Sequence, residues 1–414
     1  MNGKVTRGQR TTYGDRVAIF RATAKVHKKP LKLRPVVAKC GACMEAISKY
    51  VDVELQKLAC EVPWCIKDSD SFRDEVIRIQ VPPNAYLVTF DAVGMYSNID
   101  IPHAMVIMKN WFDNYVPSAE KESLGPTDTL LAAINLVMRN NIMQFGDSYF
   151  KQLIGTAMGT SCAVWFANLY FGSHEKNAIL PEFKDRLKRI PFYRRFVDDV
   201  FFVWLGAQDN DWENLKSLFN NFGILKWEFN KPASSVDFLD LTITIKNGKI
   251  VTKTYQKPNN AYQYIPPHSA HPSGLINGVI YSLLRTYWRQ NTKFSDFVKF
   301  SKLLFQRHLN QGWDQAVLKQ VFCTALNRLN TEVRPEAPLP PGIYDVEDPI
   351  DNEIDFEKRL FFHMQFHPSD VPKKVIRKLY EEICQDVFRE HAGIEQFTIC
   401  YSRAKSLGSV IAQA

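Results

Sequence analysis

The chain has 414 residues, of which 45% are hydrophobic and 13% aromatic, and its formal net charge is +8. This length predicts two to four lobes, and this composition is typical of packed globular structure rather than of disorder. No segment approaches the roughly 18 apolar residues that span a membrane, and the polar N-terminus lacks an apolar signal core. We therefore expect a soluble intracellular protein without a membrane partner.

The positive charge is concentrated in two separate segments. Residues 1–39 contain eleven lysines and arginines against one aspartate, and residues 274–330 contain eight against two. Residues 331–414 are net acidic, with ten basic and fifteen acidic side chains. Two basic segments around a less charged centre suggest that the protein binds a polyanion from two sides. The alternative is that these segments form a basic surface exposed to solvent.

The eight cysteines form no regular framework, which suits a reducing compartment. Cys40, Cys43, Cys60 and Cys65 could in principle hold zinc, but the spacing of the second pair is unusual for a zinc site. We interpret these residues as free thiols.

The first predicted element is a basic β-hairpin, ATAKVHKKPLKLRPVV, at residues 22–37. Apolar residues alternate there with Lys25, Lys28 and Arg34, among other cations. Such a hairpin would present cations to a triphosphate, whose oxygens suit arginine well. A merely solvated basic strand is the alternative.

A buried strand, YLVTFD, follows at residues 86–91 and ends in Asp91. Tyr96, five residues further on, would lie beside the sugar of a bound nucleotide and crowd a 2′-hydroxyl. The alternative is a tyrosine that packs in the core.

Helical spacing of apolar residues predicts a helix over 127–145 and a second over 161–175. The second follows a turn of small residues that includes Gly155 and Gly159. Such a turn lets the backbone approach a ligand closely, and a helix N-terminus favours phosphate. A tight turn at a helix start is the alternative.

Two adjacent carboxylates, Asp198 and Asp199, stand at the centre of FYRRFVDDVFFVW, residues 192–204. The pattern predicts a β-hairpin with residues 197–200 at its turn, where two carboxylates are costly unless a cation neutralises them. Neighbouring antiparallel strands would bring Asp91 beside this turn. Alone, an Asp-Asp pair is more often structural, but with Asp91 it indicates a Mg²⁺ site for phosphoryl transfer.

The remaining pattern predicts a helix at 211–222, a hairpin at 238–255 that turns at Asn247-Gly248, and basic, aromatic helices from 274 to 330. A proline-rich, acidic linker follows at about 332–349. Its Gly342-Ile343-Tyr344 matches the first half of a GIY-YIG nuclease signature without a second half, which we interpret as chance.

In this order, the motifs resemble a reverse transcriptase, and most closely the Penelope-like retroelements, whose polymerase domain is similar to that of telomerase. The resemblance covers nearly the whole chain. The segments that carry it are AKVHKKPLKLRPVV, LVTFDAVGMYSNIDIP, GTAMGTSCAVWFANLYF, YRRFVDDVFFVW, VDFLDLTITIKNGKIVTKTYQKPNN, YIPPHSAHPSGLINGVI and TICYSRAKSLGSVI.

The resemblance implies a role for each matching residue. Asp91, Asp198 and Asp199 fall at the positions of the catalytic, metal-binding aspartates, and two Mg²⁺ ions, or Mn²⁺, are the implied cofactors. The nucleotide-binding residues it implies are Lys25, Arg34, the steric gate Tyr96, and Gly159 beneath the template–primer. The nucleic-acid-binding residues are Lys28, the primer-grip residues Phe238, Leu239 and Asp240, and the thumb residues Arg285 and Arg289 beside Tyr287 and Trp288.

The implied fold is an α/β (α+β) right hand with a ferredoxin-like palm. We expect fingers at 1–85, a palm at 86–260 with a fingers segment at about 105–150, a helical basic thumb at 261–330, and an acidic linker with a C-terminal extension at 331–414. The implied partners are an RNA template, a DNA primer and dNTPs, and the implied location is nuclear.

Two departures from the family limit these expectations. Many members carry a GIY-YIG endonuclease after the region that ends here, and a longer segment before the fingers. We therefore expect an endonuclease-lacking type, a domesticated copy or a trimmed form, and we assign no cleavage activity. An RNA-dependent RNA polymerase and a catalytically silent, retroelement-derived nucleic-acid-binding protein are the alternatives. The oligomeric state is left open.

Overall fold

The computed structural model of the chain describes residues 17–25, 32–115, 127–206, 210–258, 260–272, 274–331, 359–365, 373–383, 389 and 396–402. The chain forms two compact units, Met1–Asn260 and Ala261–Ala414.

The strands of the first unit, in chain order, are β1 (Ala18–Lys25), β2 (Lys32–Ala38), β3 (Ala85–Ala92), β4 (Ile142–Phe145), β5 (Ser148–Lys151), β6 (Phe192–Phe196), β7 (Asp199–Leu205), β8 (Trp227–Phe229), β9 (Ser235–Phe238), β10 (Leu241–Lys246) and β11 (Lys249–Thr254). Its helices are α1 (Glu45–Gln56), α2 (Ser69–Val76), α3 (Ile101–Tyr115), α4 (Thr127–Arg139), α5 (Ala163–His174) and α6 (Asn210–Asn220). Strands and helices therefore alternate along this unit, as the sequence predicts.

A four-stranded antiparallel sheet, in the order β6-β7-β3-β8, lies at the centre of this unit. Helices α3, α5 and α6 cover one face, where Phe202 and Trp204 of β7 are fully buried. Helix α2 and the sheet β11-β10-β9 cover the other face, where Phe201 and Val203 are fully buried. Because both faces are covered, β7 is an unbroken apolar run rather than an alternating one.

A second sheet, in the order β2-β1-β4-β5, begins with the predicted basic hairpin. The antiparallel pairing of β1 and β2 confirms that hairpin, although its residues 26–31 lie outside the described part of the chain.

The predicted helix over 127–145 is too long. Helix α4 ends at Arg139, and residues Ile142–Phe145 form β4, which pairs in parallel with β1. The helix stops because Asn141 is buried and its side-chain amide donates to the carbonyl oxygen of Met138 at 3.1 Å. An asparagine that bonds the local backbone in this way competes with the next helical turn.

Three further local predictions are confirmed. The helices predicted at 161–175 and 211–222 correspond to α5 and α6, and α5 continues through two π-helical segments, Glu175–Ile179 and Pro181–Arg186. The hairpin of β10 and β11 turns at Asn247 and Gly248, whose φ angles of 51° and 72° are those of a type I′ turn.

The second unit begins with three helices, α7 (Leu275–Gln290), α8 (Phe294–Asn310) and α9 (Gln315–Thr331), which confirm the helical pattern of 274–330. They share a core that includes Trp288, Phe297 and Phe322.

Beyond the helices of this unit, β12 (Arg359–Gln365) pairs in parallel with β13 (Gln396–Ser402). Helix α10 (Lys373–Ile383) packs on this pair through Tyr380, which stacks on Phe397 with ring centroids 4.1 Å apart. The predicted linker at 332–349 lies outside the described residues. None of the described helices combines the length and the apolar character needed to cross a membrane.

Candidate active site

The ends of two central strands bring the predicted carboxylates together. Asp91 of β3 is the register partner of Asp199 of β7, and the backbone N–H of Ala92 donates to the carbonyl oxygen of Asp198 at 2.9 Å. Residues opposite each other on antiparallel strands have Cβ atoms only about 5 Å apart. The predicted juxtaposition of Asp91 with the acid pair is therefore present.

The turn between β6 and β7, residues Phe196–Asp199, is called here the acidic turn. Its central residues are Val197 and Asp198, one position earlier than predicted, and Asp199 is already the first residue of β7. Val197 has φ of 55°, a left-handed conformation that costs a β-branched residue about 1 kcal/mol or more. The sequence does not reveal this turn position, because valine rarely adopts a positive φ.

A cavity of about 720 Å³ opens beside the acidic turn. Five residues with predicted catalytic or nucleotide-binding roles line it: Arg34, Asp91, Tyr96, Gly159 and Asp198. They come from four separate segments of the chain, so the fold brings together residues that span more than 160 positions of the sequence.

Asp199 opens into a different space, a cavity of about 540 Å³ that Leu239, Asp240 and Lys257 also line. The pKa of Asp199 is raised from 3.8 to about 7, first by burial and then by the nearby charges of Asp198 and Asp91, while Lys257 opposes the shift. The third aspartate is thus close enough to sense the other two, but it does not face the same cavity.

Tyr96 lies on a short 3₁₀ turn, Met95–Asn98, and is half-buried at the cavity wall. Burial, together with the neighbouring charge of Asp198, raises the pKa of its hydroxyl to about 12. The phenol therefore remains neutral in the physiological range and presents an aromatic ring beside Asp198.

The small-residue turn, residues Gly155–Thr160, is called here the glycine loop, and it packs on the backbone of Tyr96. The N–H of Thr156 donates to the carbonyl oxygen of Tyr96 at 2.7 Å. Gly155 has φ of 75°, and a Cβ there would collide with that same carbonyl oxygen. Glycine at 155 therefore lets the loop fix the tyrosine turn in place.

Gly159 makes the second close approach of the glycine loop, with φ of 112°. A Cβ at this position would collide with the carbonyl oxygen of Val37 in β2, and the N–H of Val37 donates to the carbonyl oxygen of Met158 at 2.8 Å. The sequence predicted a backbone approach to a ligand. In the structure these two glycines approach the backbone of the protein itself, although Gly159 also lines the large cavity.

The predicted triphosphate-binding cations are described in part. Arg34 of β2 is exposed and lines the large cavity. Lys25 is the last residue of β1 and the register partner of Lys32, and its side chain lies outside the described part. Lys28 lies wholly outside the described residues.

Of the predicted primer-grip residues, Leu239 and Asp240 line the smaller cavity, and Leu239 has φ of 55° in the turn between β9 and β10. Phe238 is buried at 3% exposure and packs against Phe72 and Phe201, with ring centroids 4.8 and 5.5 Å apart. Its predicted nucleic-acid contact is therefore corrected to support of the core, because its ring is enclosed by other rings.

In the helical unit, Arg285 and Arg289 lie on α7, with Arg285 exposed and Arg289 half-buried. Tyr287 and Trp288, which the sequence placed beside them on the nucleic-acid surface, are buried in the helical core at 5% and 3% exposure. Aromatic residues in a basic helix therefore served packing here rather than recognition.

Sequence reasoning missed a buried ion pair directly behind the acidic turn. Arg195 of β6 and Glu175 are both fully buried and joined by two hydrogen bonds of 2.7 Å. The sequence signal is weak, since β6 contains two adjacent arginines, Arg194 and Arg195. Only the alternation of the strand, which places Arg195 on the same face as the buried Tyr193, distinguishes the buried arginine from its neighbour.

Among the described residues, no group of three His, Cys, Asp or Glu side chains is arranged to bind a metal ion by itself. Cys65, one of the four possible zinc ligands, instead lies against the guanidinium of Arg195 at 3.2 Å. For Mg²⁺, however, one or two carboxylates suffice when substrate phosphates complete the shell. Asp91 and Asp198 in one cavity, with Asp199 close enough to be affected by both, fit that requirement.

The architecture is that of a right-hand polymerase, which confirms the predicted fold class. The structure of Candida albicans telomerase, solved with a TWJ fragment of telomeric RNA, is similar with a TM-score of 0.51 and 12% sequence identity. The match covers 76% of this chain and 55% of the telomerase chain, so this chain spans about half of that protein's length.

Two viral RNA-dependent RNA polymerases are also similar. The BmCPV enzyme has a TM-score of 0.46 and 12% identity, over 75% of this chain and 26% of its own. The enzyme of a human picobirnavirus has a TM-score of 0.44 and 11% identity, over 76% of this chain and 59% of its own. No protein-family model and no curated protein matches the sequence.

Proposed function

We propose that this chain is an RNA-directed DNA polymerase, a reverse transcriptase that extends a primer 3′-hydroxyl with dNTPs on an RNA template. The observation that carries the proposal is the single cavity in which Asp91 and Asp198 meet Tyr96, Arg34 and Gly159. A polymerase needs carboxylates, a sugar-contacting group and a triphosphate-binding cation close together, and the lining of this cavity includes two aspartates, a tyrosine and an arginine.

In this proposal the two aspartates of the cavity are the metal ligands. Asp91 and Asp198 would hold Mg²⁺, or Mn²⁺, which supplies activation of the primer hydroxyl and neutralisation of the triphosphate charge. The acidic turn fixes Asp198 against the end of β3 through the Ala92 hydrogen bond. Asp199 contributes charge rather than direct ligation, because it lines the neighbouring cavity and not the one that Asp91 and Asp198 share.

The remaining residues of the cavity would select and orient the nucleotide. Arg34 is exposed on β2 and would pair with the triphosphate oxygens, for which a planar guanidinium is well suited. Tyr96 presents a neutral ring beside Asp198, at the place where a ribose 2′-hydroxyl would need room. The glycine loop keeps both walls at a fixed spacing, because it contacts the backbones of Tyr96 and Val37.

The choice of RNA as template and DNA as product rests on the resemblance to Penelope-like reverse transcriptases, together with Tyr96 as the gate. The exposed Arg285 would contact the phosphate backbone, in the manner of residues that hold a duplex without reading its sequence. A retroelement origin and a nuclear location belong to the same proposal.

Primer extension on a defined RNA template with Mg²⁺ tests this function directly. Asp198→Asn should lower the extension rate by about 1,000-fold, because the charge that holds the metal is lost. Asp113→Asn is the matched control, since Asp113 is an exposed carboxylate of α3 outside the cavity. Equal extension by the parent and by Asp198→Asn would refute the metal assignment.

The same assay, run with dNTPs and NTPs on RNA and on DNA templates, separates the alternatives. Preference for dNTPs on RNA supports the proposal. Preference for NTPs would identify an RNA-dependent RNA polymerase, and duplex binding without any extension would identify a silent nucleic-acid-binding protein.

A further inference from the structure

The ion pair of Arg195 and Glu175 is buried next to the acidic turn, since Arg195 donates to the carbonyl oxygen of Val197. Both side chains are fully buried, and such a pair often stabilises a fold no better than apolar residues of the same volume. Stability alone therefore does not explain the pair, and its hydrogen bonds indicate a different role.

Glu175 is fully occupied by donors from three side chains. Besides the two bonds from Arg195, it accepts from the Tyr193 hydroxyl at 2.5 Å and from the Trp64 indole N–H at 2.6 Å. Four directed bonds hold the carboxylate in one orientation, and the carboxylate in turn fixes the plane of the guanidinium.

The guanidinium of Arg195 also donates hydrogen bonds to two other parts of the fold. One Nη1 bond of 2.9 Å goes to the carbonyl oxygen of Val197, in the acidic turn. Two further bonds of 3.0 Å go to the side chain and the carbonyl oxygen of Asn168, in the helix that follows the glycine loop. One buried cation thus joins the acidic turn to α5, the helix that begins just after the glycine loop.

Val197 is the residue of the acidic turn that most needs such a bond. It is β-branched and has φ of 55°, a conformation that persists only where the surroundings impose it. Its carbonyl precedes the Asp198 backbone directly, so whatever fixes this peptide also fixes the direction of the Asp198 side chain.

We propose that Arg195, held by Glu175, is a positioning residue that keeps the strained acidic turn in the conformation in which Asp198 faces Asp91. The inference rests on the proposed polymerase function. Arg195 touches neither the cavity nor the reacting atoms, and it acts through Val197. The guanidinium of Arg195 is in turn oriented by Glu175, which accepts hydrogen bonds from Tyr193 and Trp64.

The main test removes the charges without leaving an unpaired ion. Arg195→Met combined with Glu175→Gln keeps the volume, and the glutamine amide can accept from the Trp64 indole N–H and donate to the Tyr193 hydroxyl, so the fold should survive. We expect the kcat of primer extension to fall about 100-fold, the effect of a small misplacement at a catalytic group, with the KM for dNTP unchanged. Tyr193→Phe is a graded variant of the same device, since it removes one of the four bonds to Glu175 and leaves the Val197 bond, so its kcat should fall only about twofold.

A rescue variant separates positioning from general loss of structure. Adding Val197→Gly to the double variant removes the strain, because glycine adopts positive φ at no steric cost. We expect the kcat of this triple variant to be at least about tenfold higher than that of the double variant, since an unstrained turn needs less support. Failure of the rescue, or full activity of the double variant, would overturn the proposal.

Hydrogen exchange tests the same inference without any catalytic activity. The amide of Ala92 bonds the Asp198 carbonyl, and the amide of Ala233 bonds the Leu87 carbonyl at 3.0 Å at the other end of β3. In the double variant, exchange at Ala92 should accelerate about tenfold or more while Ala233 keeps its rate. Equal changes at both amides would overturn the inference. A parent protein that extends no primer would refute the proposed function, and the exchange result would still decide the role of Arg195.

Discussion

Asp91 and Asp199 are register partners on β3 and β7, yet they line different cavities. Asp91 shares the larger cavity with Asp198, and Asp199 shares the smaller one with Lys257. Asp198 and Asp199 are adjacent in the sequence but line different cavities, because Asp198 is a central residue of the acidic turn and Asp199 is already the first residue of β7. The titration of Asp199 then becomes a property that can be measured separately.

The first prediction concerns stability against pH in the metal-free protein. The pKa of Asp199 is raised from an ordinary 3.8 to about 7 by burial first and by Asp198 and Asp91 second. The folded state thus keeps a proton that the unfolded chain has released, and the free energy of unfolding should fall as pH rises from about 4 to about 7. Below that window this contribution is fully present.

Asp199→Asn should flatten that slope and stabilise the protein at pH 8 by about 1 kcal/mol or more. Urea unfolding in EDTA between pH 4 and pH 8 measures both curves. An identical slope in the parent and the variant would show that the pKa of Asp199 is not raised.

The second prediction concerns sugar selection by Tyr96. Tyr96→Ala opens the space beside Asp198 and should reduce the preference for dNTP over NTP by about tenfold or more. Tyr96→Phe keeps the ring and should retain the preference, because the neutral hydroxyl is not the blocking group. The kcat/KM for dGTP divided by the kcat/KM for GTP measures this preference. An unchanged ratio in the alanine variant would show that Tyr96 is not the steric gate.

The third prediction concerns the glycine loop. Gly159→Ala places a Cβ against the Val37 carbonyl at a positive φ and should cost about 2–4 kcal/mol of unfolding free energy. Gly146→Ala is the matched control, because Gly146 also has a positive φ, of 60°, but has open space around it. Its cost should be only about 1 kcal/mol. Similar losses in thermal or urea unfolding would show that the close approach to β2 does not matter.

The fourth prediction distinguishes packing from recognition at Phe238. Phe238→Leu keeps most of the apolar volume and should leave primer affinity unchanged, whereas Phe238→Ala should destabilise the fold by about 3–5 kcal/mol. Primer binding by fluorescence anisotropy and urea unfolding measure the two effects. A large loss of primer affinity in a stable leucine variant would restore the role of Phe238 as a nucleic-acid contact.

Local rules predicted much of the fold because several turns follow their preferred chemistry. The type I′ turn at Asn247 and Gly248 uses residues that accept positive φ, so the hairpin was correctly placed. The acidic turn uses Val197 at positive φ, against its preference, so its position was predicted one residue late. Tertiary contacts overrode local preference there.

Two further misses have the same physical origin. Residues 142–145 continue a helical pattern, but Met143 pairs with Ala18 of β1, a partner more than a hundred residues earlier that no local pattern reveals. The partners of Arg195, from Trp64 to Glu175, are likewise distant in sequence. The site residues themselves were singled out by sequence patterns and given their specific roles by the resemblance, whereas the contacts that orient them became visible only in three dimensions.

The contact between Gly159 and Val37 has a mechanical consequence. Val37 is tied to Met158 by a backbone hydrogen bond, and the same loop is tied to Tyr96 through Thr156. The base of the β1–β2 hairpin therefore cannot rotate about the central sheet without pulling on the tyrosine turn. Any bending of this hairpin must therefore take place further along the two strands than Val37, on the side where Arg34 lies.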